Sequence, residues 1–190
     1  VALGAILAAP LTAEDGHAHH AHETSARYTR AQAAYVLPQV ELVDRHGERV
    51  ELAEVLSSED GPVVLQFIFT TCPAVCPMLS RLLASAGEEL GPELEGVRRV
   101  SITIDPEHDT PERLRRYAEL LEADPDWTFL TGDLDDVIAA QKAFGAYSGN
   151  KMRHPPLTFL RAPGAKRWLR FEGFPSGAEL AAEIRGLRSR

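Results

Sequence analysis

Residues 63–69 read Val63-Val64-Leu65-Gln66-Phe67-Ile68-Phe69, and residues 70–77 continue Thr70-Thr71-Cys72-Pro73-Ala74-Val75-Cys76-Pro77. The first run, opened by the breaker pair Gly61-Pro62, has the length and near-continuous hydrophobicity of a strand buried on both faces of a sheet. Beyond it, Met78, Leu79, Leu82, Leu83, Ala86 and Leu90 recur at the spacing of one helical face. The chain's only two cysteines therefore fall where a central strand hands over to a helix. Positions four apart share a helical face, which predicts Cα atoms about 6 Å apart, inside the range a disulfide tolerates. Free amides and the positive end of the helix dipole favour thiolate over thiol at this place. Thiolate is the form that disulfide exchange and soft-metal binding both require. Pro73 and Pro77 remove two N–H groups and stiffen the turn. Cysteine is also a common inert core residue, but placement after a buried strand, between two prolines, favours chemistry.

Working outward, Asp44-Arg45-His46-Gly47 is a turn flanked by Val36, Val40, Leu42 and Val50, which predicts a β-hairpin. Residues 52–56 fit a short helix. Residues 97–104 form a second strand through Val100, Ile102 and Ile104. Thr110 and Pro111 open the next helix as cap and first-turn proline, with Asp109 serving the helix start and Leu114, Tyr117 and Leu121 following. Residues 127–130 make a strand, and residues 133–144 a helix with a stripe of Leu134, Val137, Ile138 and Gln141. Residues 157–160 and 168–171 read as a hairpin before a closing helix over 178–187. This order is that of a single α/β domain with a mixed central sheet and helices on both faces. Phe67, Phe69, Met78 and Phe159 are read as core. A Rossmann glycine fingerprint and a phosphate-binding loop are both absent.

The chain has 190 residues and a formal net charge of −8. That length supports one sizeable core, and two cysteines cannot staple a scaffold. An acidic chain without a basic stripe argues against nucleic acid as partner. Residues 1–34 are expected to be a tail and 35–190 the domain. Residues 1–11 resemble the apolar end of a secretory signal or membrane anchor, too short as they stand to span a bilayer. The tail then holds His17, His19, His20 and His22, a cluster able to capture borderline metals or to act as a solvated tether.

Thr71-Cys72-Pro73-Ala74-Val75-Cys76-Pro77 resembles the metal-binding motif of the Sco/SenC family. These are exported or membrane-tethered thioredoxin-like proteins associated with building the dinuclear copper centre of cytochrome c oxidase. Ile104-Asp105-Pro106-Glu107-His108-Asp109-Thr110-Pro111 resembles the family's second signature, with His108 where arginine is usual. His154, before Leu157-Thr158-Phe159-Leu160, matches the third element. The resemblance covers about residues 35–187 and implies a thioredoxin-like fold with the hairpin as an N-terminal extension. It implies Cys72, Cys76 and His154 as ligands for copper, both Cu(I) and Cu(II). Asp105 is then a neighbour able to orient a ligand or a water, or a plain turn acid. His108 is an accessory ligand or a loop histidine.

Two departures matter. Arg153 stands where the family usually has aspartate before the histidine, and Pro155-Pro156 follow it where serine is usual. Arg153 can steady thiolates or an anionic partner. Pro156-Leu157-Thr158-Phe159 resembles the cis-proline segment of thioredoxins. The function implied is an exported, monomeric copper metallochaperone acting in the periplasm or on the outer face of the membrane. Its partner is the copper-centre subunit of a terminal oxidase, with another copper chaperone or a thiol reductase as further partners. The alternative is a thiol–disulfide oxidoreductase acting through Cys72 and Cys76 on that subunit's cysteines or on other exported proteins. Copper sensing or storage is a third class, and a peroxidase is disfavoured because the second cysteine stands so close.

Overall fold

The computed structural model describes residues 27–188. The expected signal or anchor remnant and the histidines His17, His19, His20 and His22 lie outside the described residues. The strands are β1 (Tyr28–Ala34), β2 (Glu41–Asp44), β3 (Arg49–Glu51), β4 (Val63–Ile68), β5 (Arg98–Thr103), β6 (Trp127–Thr131), β7 (Leu157–Arg161) and β8 (Arg167–Gly173). The helices are α1 (Leu52–Leu56), α2 (Val75–Leu90), α3 (Pro111–Leu120), α4 (Leu134–Ala143) and α5 (Gly177–Arg188). One eight-stranded sheet runs β1-β8-β7-β4-β5-β6-β2-β3. Strands β4, β5 and β6 are parallel, while β7 lies antiparallel on the other side of β4. The sheet is thus mixed and flanked by helices, as the thioredoxin-like reading expects.

Strand β4 is central because every one of its side chains can be buried, and all six are. Its single polar residue, Gln66, spends its amide N–H donors internally, while its Oε1 is buried without a partner. The Gln66 amide donates to Thr158 Oγ1 at 3.0 Å and to the Leu79 carbonyl at 3.3 Å, tying β4 to β7 and α2. Around β4 the core is aromatic. Phe144 packs on Phe67, Phe159, Trp168 and Tyr35 with ring centroids 4.8–5.9 Å apart. Each such pair adds about 0.5–1.5 kcal/mol beyond its buried area. Helix α5 reaches α2 closely at Gly177, where a Cβ would stand 2.4 Å from Ser85 Oγ.

The hairpin of β2 and β3 forms as expected and joins the sheet edge beside β6. Its turn is closed by Asp44, whose carboxylate accepts from the His46 and Glu48 amides at 2.8 and 2.9 Å. Thr110 caps α3 by accepting from the Arg113 amide.

Four readings need correction. The ordered domain begins before residue 35, because β1 pairs along its whole length with β8, from Tyr28↔Gly173 to Ala34↔Arg167. This strand is an edge held by backbone hydrogen bonds, with Tyr28 packed on Phe171 as its apolar anchor. Met78 is not core: it is half exposed, on the solvent side of α2. The buried face of α4 is Val137, Ala140 and Gln141, while Leu134 is exposed at the helix start. No cis peptide bond occurs among the described residues, so the segment at Pro155-Pro156 is trans. The Pro156 carbonyl accepts from the Gly173 amide at 2.9 Å.

Candidate functional site

Cys72 lies in the loop after β4 and Cys76 on the first turn of α2. The loop turns tightly, with the Cys72 amide donating to the Phe69 carbonyl at 3.1 Å. The helix begins at Ala74, which has no side chain able to cap it. The Cys72 sulfur fills that role: the Cys76 amide donates to Cys72 Sγ at 3.3 Å. Pro77 costs the helix nothing here, because first-turn N–H groups have no partner within a helix.

This arrangement divides the labour between the two sulfurs. Burial pushes Cys72 up, but the amides of Cys76, Ala74 and Val75 and the Cys76 thiol together pull it below the ordinary thiol range. Burial pushes Cys76 up strongly, and the neighbouring Cys72 and Asp109 add to that. Cys72 therefore ionises more readily than Cys76, whose burial holds its proton. Both are free, not joined in a disulfide. Native-state alkylation should therefore modify Cys72 alone, with a pH midpoint below the value of about 8.5 for an unperturbed cysteine. Mass spectrometry against pH measures this; a midpoint at or above 8.5 would refute the assignment.

His154 follows a 3₁₀ turn over Lys151–Arg153, just before β7. It is buried, and its Nε2 donates to the Phe67 carbonyl at 3.2 Å. A carbonyl can only accept, so Nε2 carries the hydrogen. Burial lowers the His154 pKa, against the opposing pull of the Phe67 and Ala146 backbones, which leaves the ring neutral. The lone pair then resides on Nδ1, which is buried and makes no hydrogen bond. Fixing one imidazole nitrogen on a carbonyl while the other keeps its lone pair is the usual preparation of a histidine ligand.

Cys72, Cys76 and His154 all line one cavity of about 120 Å³, with Phe69, Pro73, Ala74, Val75, Lys151 and Met152. Two separate chain segments, 69–76 and 151–154, thus bring two sulfurs and an imidazole to one small, largely apolar space. As a donor set they suit a soft or borderline cation. They do not stand as a closed cluster: among the described residues no group of three His, Cys, Asp or Glu is arranged to hold a metal ion.

The remaining residues sort as follows. Asp105 does not reach His154; its carboxylate pairs with Lys151, which also lies over the Phe69 ring. Arg153 is exposed and does not line the cavity. His108 meets Arg113 at the surface. Asp109, read from sequence as a helix-start residue, is fully buried and does more. It accepts from the Thr70 amide at 2.9 Å, from the Thr70 hydroxyl, and from Thr103 Oγ1 at 2.6 Å. It thereby ties the loop that carries Cys72 to the end of β5. The available signal was the pairing of Thr70, two residues before Cys72, with an aspartate directly before the helix cap. Lys151 and Met152 were also missed as cavity residues, and Phe67 contributes through its backbone, which no side-chain motif reveals.

The SCO1/SenC family model matches residues 29–188. The SCO1 protein homolog of Bacillus subtilis is 38% identical over 79 residues, covering 40% of this chain and 41% of that protein. The chain spans roughly half or less of the length of the curated relatives it matches. Arabidopsis thaliana ScoI, solved with copper bound, aligns with a TM-score of 0.67 at 23% identity, over 83% of this chain and 100% of that one. BsSco, described as a member of the Sco family of cytochrome c oxidase assembly proteins with a disulfide switch, aligns at 0.65 and 23%, over 84% and 96%. The two solved structures share the fold, and the family model covers the described sheet from its first strand to its last helix. The chain belongs to the SCO1/SenC family.

Proposed function

We propose that this protein is an exported copper carrier that binds Cu(I) through Cys72 and Cys76, recruits His154 for Cu(II), and hands the ion to the copper-centre subunit of a terminal oxidase. One observation carries the reading: the two sulfurs and the imidazole line the same small apolar cavity. Two thiolates suit Cu(I), and an added imidazole suits Cu(II). Copper-bound ScoI from Arabidopsis, with the same fold, and the oxidase-assembly description of BsSco support the cargo and the target. The carrier acts as a monomer on the periplasmic or outer membrane side. No helix among the described residues is long and apolar enough to cross a membrane.

Copper entry displaces the Cys76 proton, so binding releases a proton and tightens as pH rises. The test uses the full chain with His17, His19, His20 and His22 replaced by alanine. Reduced, it should bind one Cu(I) with thiolate-to-copper absorption; no binding would remove the carrier reading. In the same background His154→Ala should weaken Cu(II) by about tenfold or more and Cu(I) much less, because both sulfurs remain. Competition titration with a chromogenic chelator measures both, and equal Cu(II) affinity would take His154 out of the site.

The contrast between a readily ionised Cys72 and a retained proton at Cys76 supports a second reading, a thiol–disulfide oxidoreductase. Cys72 would attack a partner disulfide and Cys76, losing its proton, would release the reduced partner by closing the Cys72–Cys76 bond. Exchange with a partner disulfide that is fast without copper would favour this reading over carriage.

A further inference from the structure

The sheet delivers the N-terminal tail to the edge that carries the thiol cavity. Strand β1 runs antiparallel to β8, β8 to β7, and β7 to β4. The start of β1, the end of β8, the start of β7 and the end of β4 therefore share one edge. Cys72 lies in the loop that leaves β4 there, and His154 just before β7 begins there. The register is explicit. Tyr28 pairs with Gly173, and the Gly173 amide donates at 2.9 Å to the carbonyl of Pro156, two residues after His154.

The point where the tail joins the sheet is held by contacts of its own. The Phe174 amide donates to the Arg27 carbonyl at 3.0 Å, and the Arg27 guanidinium pairs with Glu179 at 2.9 Å. Gly173 has a φ of +116°, and a Cβ there would stand 2.3 Å from the Arg27 carbonyl oxygen. Only glycine permits that approach. His22 stands five positions before Arg27, and His20, His19 and His17 precede it. Five residues reach up to about 17 Å, while the three strand spacings from β1 to β4 amount to about 14 Å. The tail histidines are therefore within reach of the cavity mouth with the sheet unchanged.

The cavity itself is poorly made for meeting a hydrated ion. Phe69, Pro73, Ala74 and Val75 give it an apolar wall, and Cys76 is fully buried. A hydrated Cu(II) ion must shed its waters to enter, which is costly without donors to replace them. Neutral imidazoles supply such donors. Two anionic sulfurs then attract a divalent ion more strongly than neutral nitrogens do, so the ion moves from tail to cavity.

We propose that His17, His19, His20 and His22 form a capture site for Cu(II) that delivers the ion, within the same molecule, to Cys72, Cys76 and His154. The proposal rests on the copper-carrier reading and adds the route by which the site is filled. The transfer is a ligand exchange with no change of oxidation state. Copper–imidazole bonds to the tail break as bonds to the two sulfurs and to His154 form, and the protons lost by the thiols pass to solvent. A tether this short gives the tail an effective concentration on the order of 1 mM, so transfer within one molecule outruns encounter between separate molecules at micromolar concentration.

The test mixes the reduced full chain, without oxygen, with half an equivalent of Cu(II) and follows thiolate-to-Cu(II) absorption by stopped flow. The comparison is the protein with His17→Ala, His19→Ala, His20→Ala and His22→Ala combined. The parent's cavity should fill at least about tenfold faster, through a last step whose rate does not change with protein concentration. The final Cu(II) affinity of the cavity should be the same in both proteins. A separate peptide of residues 12–26, added to the variant at equal concentration, should not restore the rate. Equal rates in the two proteins, full restoration by the peptide, or copper that stays on the parent's tail while the variant's cavity fills would each overturn the route and leave the carrier reading standing. Absence of thiolate-to-copper absorption in both proteins would overturn the two together.

Discussion

Replacing Cys72 with alanine is expected to reduce Cu(I) affinity by at least about a hundredfold and to abolish native-state thiol alkylation. The substitution removes the more readily ionised of the two thiols. What remains is Cys76, fully buried, its ionisation opposed above all by burial. Losing Cys72 takes away the smaller contribution that its sulfur makes to that opposition, but burial stays. A lone Cu(I) must then strip a proton from one enclosed thiol without a second sulfur to share it. The fold should survive. Cys72 sits at the cavity rim, and its structural role is to accept one amide hydrogen bond at the start of α2. Loss of a helix cap costs about 1 kcal/mol, a minor share of a typical domain's stability. Cys76→Ala separates the two roles: Cu(I) binding weakens there too, but Cys72 stays open to alkylation. Chelator competition and mass spectrometry read both effects. Cys72→Ala protein that binds Cu(I) as tightly as the parent would refute the site.

Most of the sheet was legible because its central strands are simple. A run such as residues 63–69 has nowhere to go but a buried strand, and the two cysteines inherit their position from it. The hairpin was equally plain, since Asp44 and Gly47 supply the turn and Leu42 and Val50 the apolar pair. Strand β1 was not legible. Its sequence, Tyr28-Thr29-Arg30-Ala31-Gln32-Ala33-Ala34, is polar and alanine-rich because an edge strand is held by its backbone, which leaves no hydrophobic alternation to read. Met78 misled for the opposite reason. A methionine at helical spacing resembles core, but the buried stripe of α2 runs through Cys76, Leu79, Leu83, Ala86 and Leu90, one step to the side. Three residues that line the cavity were legible: Cys72 and Cys76 from their placement, and His154 through family resemblance. The site was not legible where backbone or distant partners decide. The Phe67 carbonyl that sets the His154 tautomer leaves no trace in composition. Asp109 finds Thr70 only because β4 and β5 lie side by side in parallel, so that both strands end at the same edge.

That edge gives the second large effect. Asp109→Ala is expected to destabilise the protein by about 3–5 kcal/mol. The alanine leaves the Thr70 amide, the Thr70 hydroxyl and the Thr103 hydroxyl without their acceptor. Hydroxyls can turn toward other partners, but the amide is fixed by the backbone. An orphaned donor of this kind costs about 1–3 kcal/mol, and hydrogen bonds to a charged acceptor contribute more than neutral ones. Asp109→Asn keeps the shape and one acceptor oxygen, so it should lose about half as much. Unfolding in urea at constant pH measures the series, and Thr70→Val combined with Asp109→Ala should cost less than the sum, because both remove the same bonds. A purely structural effect would stop there. If Asp109 holds the thiol loop, the two sulfurs must respond as well. Loosening residues 70–74 weakens the amide contacts that lower Cys72, so its alkylation midpoint should rise toward the ordinary thiol value. Removing the Asp109 carboxylate eases the ionisation of Cys76, whose midpoint should fall. The two thiols therefore converge in Asp109→Asn protein, which remains folded enough to titrate. A Cys72 midpoint unchanged from the parent would mean that Asp109 supports the sheet edge and has no hold on the sulfurs.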